Sequence, residues 1–131
     1  MGLDMYLRGE KYFWTNWEDK TKNLTEDGFK VKTKTLELGY WRKHPNLHGY
    51  IVNEFGGGND DCQVIELSIE NLKKTIQAIK DKSLPKTSGF FFGESDEADD
   101  APSIEILEKA IAWAETKEPG ALKTIQYQAS W

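Results

Sequence analysis

Three consecutive phenylalanines, Phe90 to Phe92, lie between Gly89 and Gly93 and place the strongest constraint on how this chain can fold. A Phe-Phe-Phe run is stable either as a strand that is buried on both faces or as an aromatic wall beside a ligand. The flanking glycines allow the backbone to turn sharply or allow another group to approach closely. We therefore predict a short buried strand at 90–92, with the wall of a ligand site as the alternative.

Hydrophobic periodicity divides the rest of the chain into strands and helices. Strands are predicted over 3–8, 29–39, 62–67 and 122–130, and a turn-rich loop is predicted over 9–28. Helices are predicted over 45–55, 68–82 and 102–117, with Pro45 in a first turn and Ser68 as a cap. This order predicts a single α+β domain over 1–131, in which a mixed, mostly antiparallel sheet of about five strands packs with about three helices.

Composition narrows the class of protein. The chain has 131 residues, of which 38% are hydrophobic and 30% charged, as expected for one globular domain. No apolar run approaches the roughly 18 residues of a membrane helix, and charged residues interrupt the first 20 positions, so neither membrane insertion nor a secretion signal is expected. Cys62 is the single cysteine, which excludes an internal disulfide and suits a reducing cytoplasm.

The net charge of −5 is concentrated in one short segment. This acidic segment, residues 94–100, contains five acidic residues. The rest of the chain has 17 acidic residues and 17 Lys or Arg, so an anionic ligand can still bind elsewhere. A solvated loop is one interpretation of this acidic segment. The other is a surface that docks on a basic protein, or that imitates nucleic-acid phosphates, while direct binding to nucleic acid is not expected. The candidate partner-binding residues are Glu94, Asp96, Glu97, Asp99 and Asp100.

Short motifs spread from the first residue to the last resemble those of a family of small bacteriophage and prophage proteins. They are Met1–Leu7 (MGLDMYL), Tyr40–Lys43 (YWRK), His48 followed by Tyr50, Asp61–Cys62, Ser88–Gly93 (SGFFFG) and Tyr127–Trp131 (YQASW). The chain departs from the family pattern at Ala129, where Ser is more usual, and at Pro45, which falls within a continuous helix in relatives. The resemblance implies a phage or prophage origin and action in the cytoplasm of a bacterial host.

The residue types in these motifs suit recognition of a nucleotide-like or other anionic small ligand. Arg presents a planar fork to a phosphate, Lys a point charge, and aromatic rings stack on bases. The alternative is a polar network that braces the sheet, with Arg42 paired to Asp4 or Asp61. A further strip of lysines at 30, 32 and 34 is expected on one strand face. The candidate ligand-binding residues are Trp41, Arg42, Lys43, His48, Asp61, Ser88, Phe91, Tyr127 and Trp131.

Catalysis and metal binding are the less favoured alternatives. His48 could act as a base with Asp61 or Cys62 in a nucleotide-directed hydrolase. His44 and His48 have helical spacing for a metal, but the chain has only 2 histidines, and Pro45 and Gly49 weaken the helix that would hold them. We therefore expect a phage accessory protein for host takeover or anti-defence that binds its ligand without turnover and without a metal or cofactor. An inhibitor that docks on a host defence enzyme through the acidic segment is the second hypothesis, and a homodimer is left open.

Overall fold

The computed structural model describes residues 2–89 and 92–131 and confirms an α+β fold. The strands are β1 (Asp4–Phe13), β2 (Thr25–Glu26), β3 (Phe29–Lys30), β4 (Thr33–Arg42), β5 (Ile65–Leu67) and β6 (Ala121–Ser130). The helices are α1 (Pro45–Phe55), α2 (Ile69–Lys80) and α3 (Asp100–Glu115). Four strands form one sheet in the order β4-β1-β6-β5, and β2 and β3 form a separate hairpin. All of these pairings are antiparallel.

The sheet is centred on the first and last strands of the chain. β1 and β6 pair along their whole length, from Asp4 opposite Ser130 to Phe13 opposite Ala121. Alternation along β1 buries Met5 and Leu7 against the helices, as the sequence pattern predicts. At Gly9 the absence of a side chain leaves room for Trp113 of α3, because a Cβ atom there would lie 2.7 Å from a ring carbon.

Residues 9–13 lie in β1, although a loop was predicted from position 9. Glu10 and Lys11 were assigned to a loop because they are polar. In the structure, each has a pairing partner on both β4 and β6. Hydrogen bonding on two sides extends the strand beyond the part that the apolar pattern marks. Tertiary pairing also divides the predicted strand 29–39, because 29–30 belong to the hairpin and β4 begins at Thr33 and continues to Arg42.

Sequence features at the helix starts predict where the helices begin to within two residues. Pro45 begins α1, and the side chains of Ser68 and Asn71 form a reciprocal capping box at the start of α2. α3 begins at Asp100, two residues before the predicted Pro102, because Pro is tolerated within a first turn. Of the predicted strand 90–92, Phe90 and Phe91 lie outside the described residues. Phe92 is buried but has no strand pairing.

Candidate ligand-binding site

The predicted ligand-binding residues do not form one open site. Trp41 is 7% exposed, and its Nε1–H donates to Ser103 Oγ at 2.9 Å, which ties β4 to α3. Arg42 Nη1 donates to Asp4 Oδ1 at 3.0 Å, which is one of the two pairings in the structural alternative. Tyr40, together with Arg42, lowers the pKa of Asp4 by hydrogen bonding to its carboxylate. Both Trp41 and Arg42 therefore have intramolecular partners.

Lys43 and Ser88 are each placed near Gly93, but Lys43 does not line the cavity to which Ser88 belongs. Lys43 adopts a left-handed conformation (φ 55°), and its backbone N–H donates to the carbonyl of Leu3. Its methylene groups cover Gly93, where an added Cβ would lie 3.0 Å from Lys43 Cδ. Ser88 is exposed and lines a cavity of about 370 Å³ together with Gly93. Phe91, the remaining candidate of this segment, lies outside the described residues.

His48, Tyr127 and Trp131 do come together, around a carboxylate that the sequence analysis did not select. His48 is 2% exposed; its Nδ1 lies 2.5 Å from Tyr127 Oη and its Nε2 lies 2.9 Å from Asp60 Oδ1. The ring centroids of Phe92 and Trp131 lie 5.5 and 5.7 Å from that of His48. Among the described residues, Asp60 is thus the carboxylate bonded to His48, whereas the predicted Asp61 is exposed one residue later.

We call these residues the histidine cluster: His48, Asp60, Phe92, Tyr127 and Trp131. Their hydrogen bonds and ring contacts join α1 to β6 and to the segments around Asp60 and Phe92. Burial, with a smaller effect of the Asp60 charge, raises the pKa of Tyr127, so its hydroxyl stays protonated and donates to His48 Nδ1. The other nitrogen then carries its hydrogen toward Asp60. Because the His48 side chain is only 2% exposed, an external substrate has little access to either ring nitrogen.

The acidic segment is partly used within the fold. The Asp96 carboxylate accepts from the backbone N–H of Ala98 at 2.9 Å, in a short 3-10 turn over Glu97–Asp99. Lys82 Nζ lies 3.4 Å from Glu97 and 3.9 Å from Asp100. Asp99 and Asp100 lie at the start of α3, where negative charge is favoured by the helix dipole. Glu94 is exposed. Asp100 thus lies in the first turn of α3, whereas Glu94, Asp96 and Glu97 remain exposed before it.

His44 has an unusual environment at this same end of α3. It is 2% exposed, its Nδ1 lies 2.8 Å from Ser95 Oγ, and within the described part of the chain its Nε2 has no hydrogen-bond partner. It forms part of the walls of two small cavities, of about 160 and 180 Å³. Burial lowers the pKa of His44, and the charges of Asp99 and Asp100 oppose this only in part.

We expect acid to destabilise the protein through His44. Because its pKa is lower in the folded than in the unfolded chain, the unfolded chain binds more protons once the pH falls below about 6.5. The contribution of His44 to stability is therefore complete above that pH and declines toward the folded pKa, by at most about 1.4 kcal/mol per pH unit. Urea unfolding at pH 7.5 and 5.5 should show a smaller decline for His44→Gln than for the wild type. Equal declines in both proteins would contradict this role.

A cluster of lysines lies at the opposite end of α3. Lys34, Lys11 and Lys123 are direct neighbours across β4, β1 and β6, and we call them the lysine row. Lys11 Nζ lies 2.9 Å from Glu118 Oε1, the one ion pair that the described residues provide to this row. Lys123 Nζ donates to the carbonyls of Trp113 and Thr116 at the end of α3. A hydrogen bond from Lys11, with the charges of Lys123 and Lys34, lowers the pKa of Glu118.

Two members of the lysine row, Lys11 and Lys34, line a cavity of about 580 Å³, which we call the lysine-lined cavity. The 14–24 segment supplies its other side, with Trp14 as the exposed aromatic ring. Of the predicted strip at 30, 32 and 34, only Lys34 lines it, because Lys30 belongs to β3 and bonds to Thr15. The polar and charged residues of the lining are Lys11, Asn16, Lys22, Asn23, Lys34 and Glu118.

Sequence reasoning missed this cavity because its lysines come from separate parts of the chain. Lys11 and Lys22 lie in the segment 9–28 that was predicted as loop, and Lys34 lies in the predicted strand 29–39. Lys34 was the one cavity lysine singled out in the sequence, as part of the predicted lysine strip, and such a strip is usually a solvated strand face.

Comparison of the chain with protein-family models, curated proteins and solved structures found no match. Within residues 2–89 and 92–131, no set of three or more His, Cys, Asp or Glu is placed to hold a metal ion. No helix in these ranges is long and apolar enough to cross a membrane. Arguments about function therefore depend on the geometry of this chain alone.

Proposed function

We propose that this protein binds an anionic small molecule in the lysine-lined cavity and does not turn it over. The observation that carries the proposal is the lysine row, in which Lys11 has a lysine directly opposite on each side. Like charges directly opposite each other destabilise a sheet. Glu118 offsets one of these charges, and Lys22 adds another at the cavity wall. A bound anion would remove the remaining repulsion.

The size and electrostatics of the cavity suit such a ligand. Its volume of about 580 Å³ falls in the range of roughly 300–1,000 Å³ that is usual for small-molecule sites. The acidic segment lies at the other end of α3, a helix of 16 residues and hence about 24 Å long. At physiological ionic strength charges are screened over about 8 Å, so the acidic segment does not cancel the positive field of the cavity.

The lining also favours binding over turnover. Among the described residues that line the cavity there is one carboxylate, Glu118, which is paired with Lys11, and there is no His or Cys. A hydrolase would need an available base or nucleophile next to the bound ligand. The resemblance to phage proteins adds the cellular setting to the proposal: an accessory protein that captures an anionic metabolite or signal of a bacterial host.

Calorimetric titration with inorganic pyrophosphate tests the proposal. We expect binding in 20 mM salt that weakens in 200 mM salt, because lysine–phosphate attraction is screened. Lys34→Gln should weaken binding about tenfold, since it removes one charge from the lysine row. Lys80→Gln is the matched control, because Lys80 is an exposed lysine on α2, away from the cavity. Absence of binding at low salt, or equal losses in the two variants, would contradict the proposal.

A further inference from the structure

We infer that the ligand of the lysine-lined cavity carries a planar ring beside its anionic groups, and that the site therefore takes a nucleotide. The inference rests on the proposed function and adds a role for Trp14. This side chain is 57% exposed and lines the same cavity as Lys11 and Lys34. A large aromatic ring that stays open to solvent within a basic cavity is a stacking surface for a base, because every base presents a π-face.

Trp14 is held in place although its ring is open. Its backbone N–H donates to the carbonyl of Gly120 at 2.8 Å, at the turn before β6. Tyr12 packs against it with ring centroids 5.1 Å apart and ring planes at 75°. The stacking surface is therefore organised before any ligand arrives, which lowers the entropy lost on binding.

The segment facing the lysine row is also organised by its own hydrogen bonds. The side chain of Asn23 accepts from the backbone N–H of Asn16 at 2.7 Å and donates to the Asn16 carbonyl at 3.3 Å. The Asn16 side chain in turn accepts from the backbone N–H of Asp19 at 2.9 Å. These bonds hold the short 3-10 turn Lys20–Lys22, and with it the Lys22 side of the cavity. Aromatic and cationic groups thus belong to one preformed wall.

Trp17 provides an internal contrast. It is more exposed than Trp14, at 79%, but it does not line the cavity. Its ring lies 5.9 Å from Lys30 Nζ, so it too is an aromatic residue next to a lysine. If exposed aromatic rings near lysines bound bases without further requirements, the two tryptophans would be equivalent. The inference predicts that they differ, since only Trp14 shares a cavity with the lysine row.

The test compares ADP, pyrophosphate and adenosine by calorimetric titration in low-salt buffer with EDTA. ADP and pyrophosphate share the diphosphate group, and adenosine has the ring without the charge. For the wild type we expect ADP to bind more tightly than pyrophosphate by about five- to 150-fold, the usual gain from one stacked base. We expect adenosine to bind more weakly than either. Trp14→Leu should make ADP and pyrophosphate equal, while Trp17→Leu should keep the difference.

The outcomes separate this inference from the proposed function. If ADP and pyrophosphate bind the wild type equally well, the cavity recognises charge alone, so the inference is wrong and the proposed function stands. If Trp14→Leu keeps the preference for ADP, the inference is also wrong. If neither compound binds the wild type, the proposed function itself fails. Thermal unfolding checks that Trp14→Leu is folded, and loss of the ADP preference in the folded variant then supports the inference directly.

Discussion

In the Lys11→Glu variant, binding of pyrophosphate is expected to weaken by at least about 100-fold. Lys11 is the middle member of the lysine row, with Lys34 and Lys123 directly opposite it on the two neighbouring strands. Two unit charges about 4 Å apart interact by about 1 kcal/mol in water and about 4 kcal/mol near a protein surface. Reversal changes the charge at this position by two units, and a loss of about 2.7 kcal/mol corresponds to 100-fold in affinity.

Glu118→Gln is expected to act in the opposite direction. The Glu118 carboxylate accepts a hydrogen bond from Lys11 at 2.9 Å, so a bound anion competes with it for the same ammonium group. Removing its charge should tighten pyrophosphate binding severalfold and make the binding more sensitive to salt.

Calorimetric titration of both variants, with Lys80→Glu as the charge-reversal control on α2, checks these opposite effects. Thermal unfolding should confirm that Lys11→Glu is folded, because its new carboxylate lies between two lysines. If Lys11→Glu and Lys80→Glu weaken binding equally, the anion responds to overall charge and not to the lysine row. Weaker binding in Glu118→Gln would show that this carboxylate positions the lysines instead of competing with the ligand.

His48→Ala is expected to lower the free energy of unfolding by about 3–4 kcal/mol. Removal of this ring leaves the buried hydroxyl of Tyr127 without its partner, which costs about 1–3 kcal/mol. It also leaves a space beside Phe92 and Trp131, whose rings pack on the imidazole. Urea unfolding followed by circular dichroism measures the change.

Two tyrosine variants separate the hydrogen bond from the packing. Tyr127→Phe should cost about 1–3 kcal/mol, because it leaves His48 Nδ1 unpaired in the core. Tyr50→Phe is the matched control, since the Tyr50 hydroxyl makes a long bond of 3.4 Å to an exposed carbonyl. Because Tyr127 and His48 share one bond, the double variant His48→Ala/Tyr127→Phe should cost less than the two single changes together.

The same variants address the hydrolase hypothesis. If the histidine cluster is structural, His48→Ala should lose stability while keeping the pyrophosphate affinity of the lysine-lined cavity. Tyr127 and Lys123 are four residues apart on β6, which is about 13 Å along a strand. If His48→Ala had normal stability, the imidazole would not stabilise the fold, and the hydrolase hypothesis would be favoured instead.

The sequence analysis selected several residues that make specific contacts in the structure. The pairing of Arg42 with Asp4 is one of the two pairings that the sequence analysis gave as the structural alternative. His48 and Tyr127 were selected from their motifs, and the structure joins them by a hydrogen bond. Asp61 was predicted beside His48, but the structure places Asp60 there. Asp60 and Asp61 are adjacent in an irregular segment, and only the path of the backbone after α1 decides which carboxylate reaches the imidazole.

The sequence by itself determined two helix starts and the buried face of the first strand. Pro45 and the Ser68 capping box mark two helix starts, and the alternation of β1 separates its buried from its exposed face, because caps and periodicity are local properties. Only the tertiary structure decided that the first and last strands pair, and in which register. That register places Lys11 between Lys34 and Lys123, and a shift of one residue would send Lys11 to the other face. Register depends on packing of the whole core, which no local pattern of residues contains.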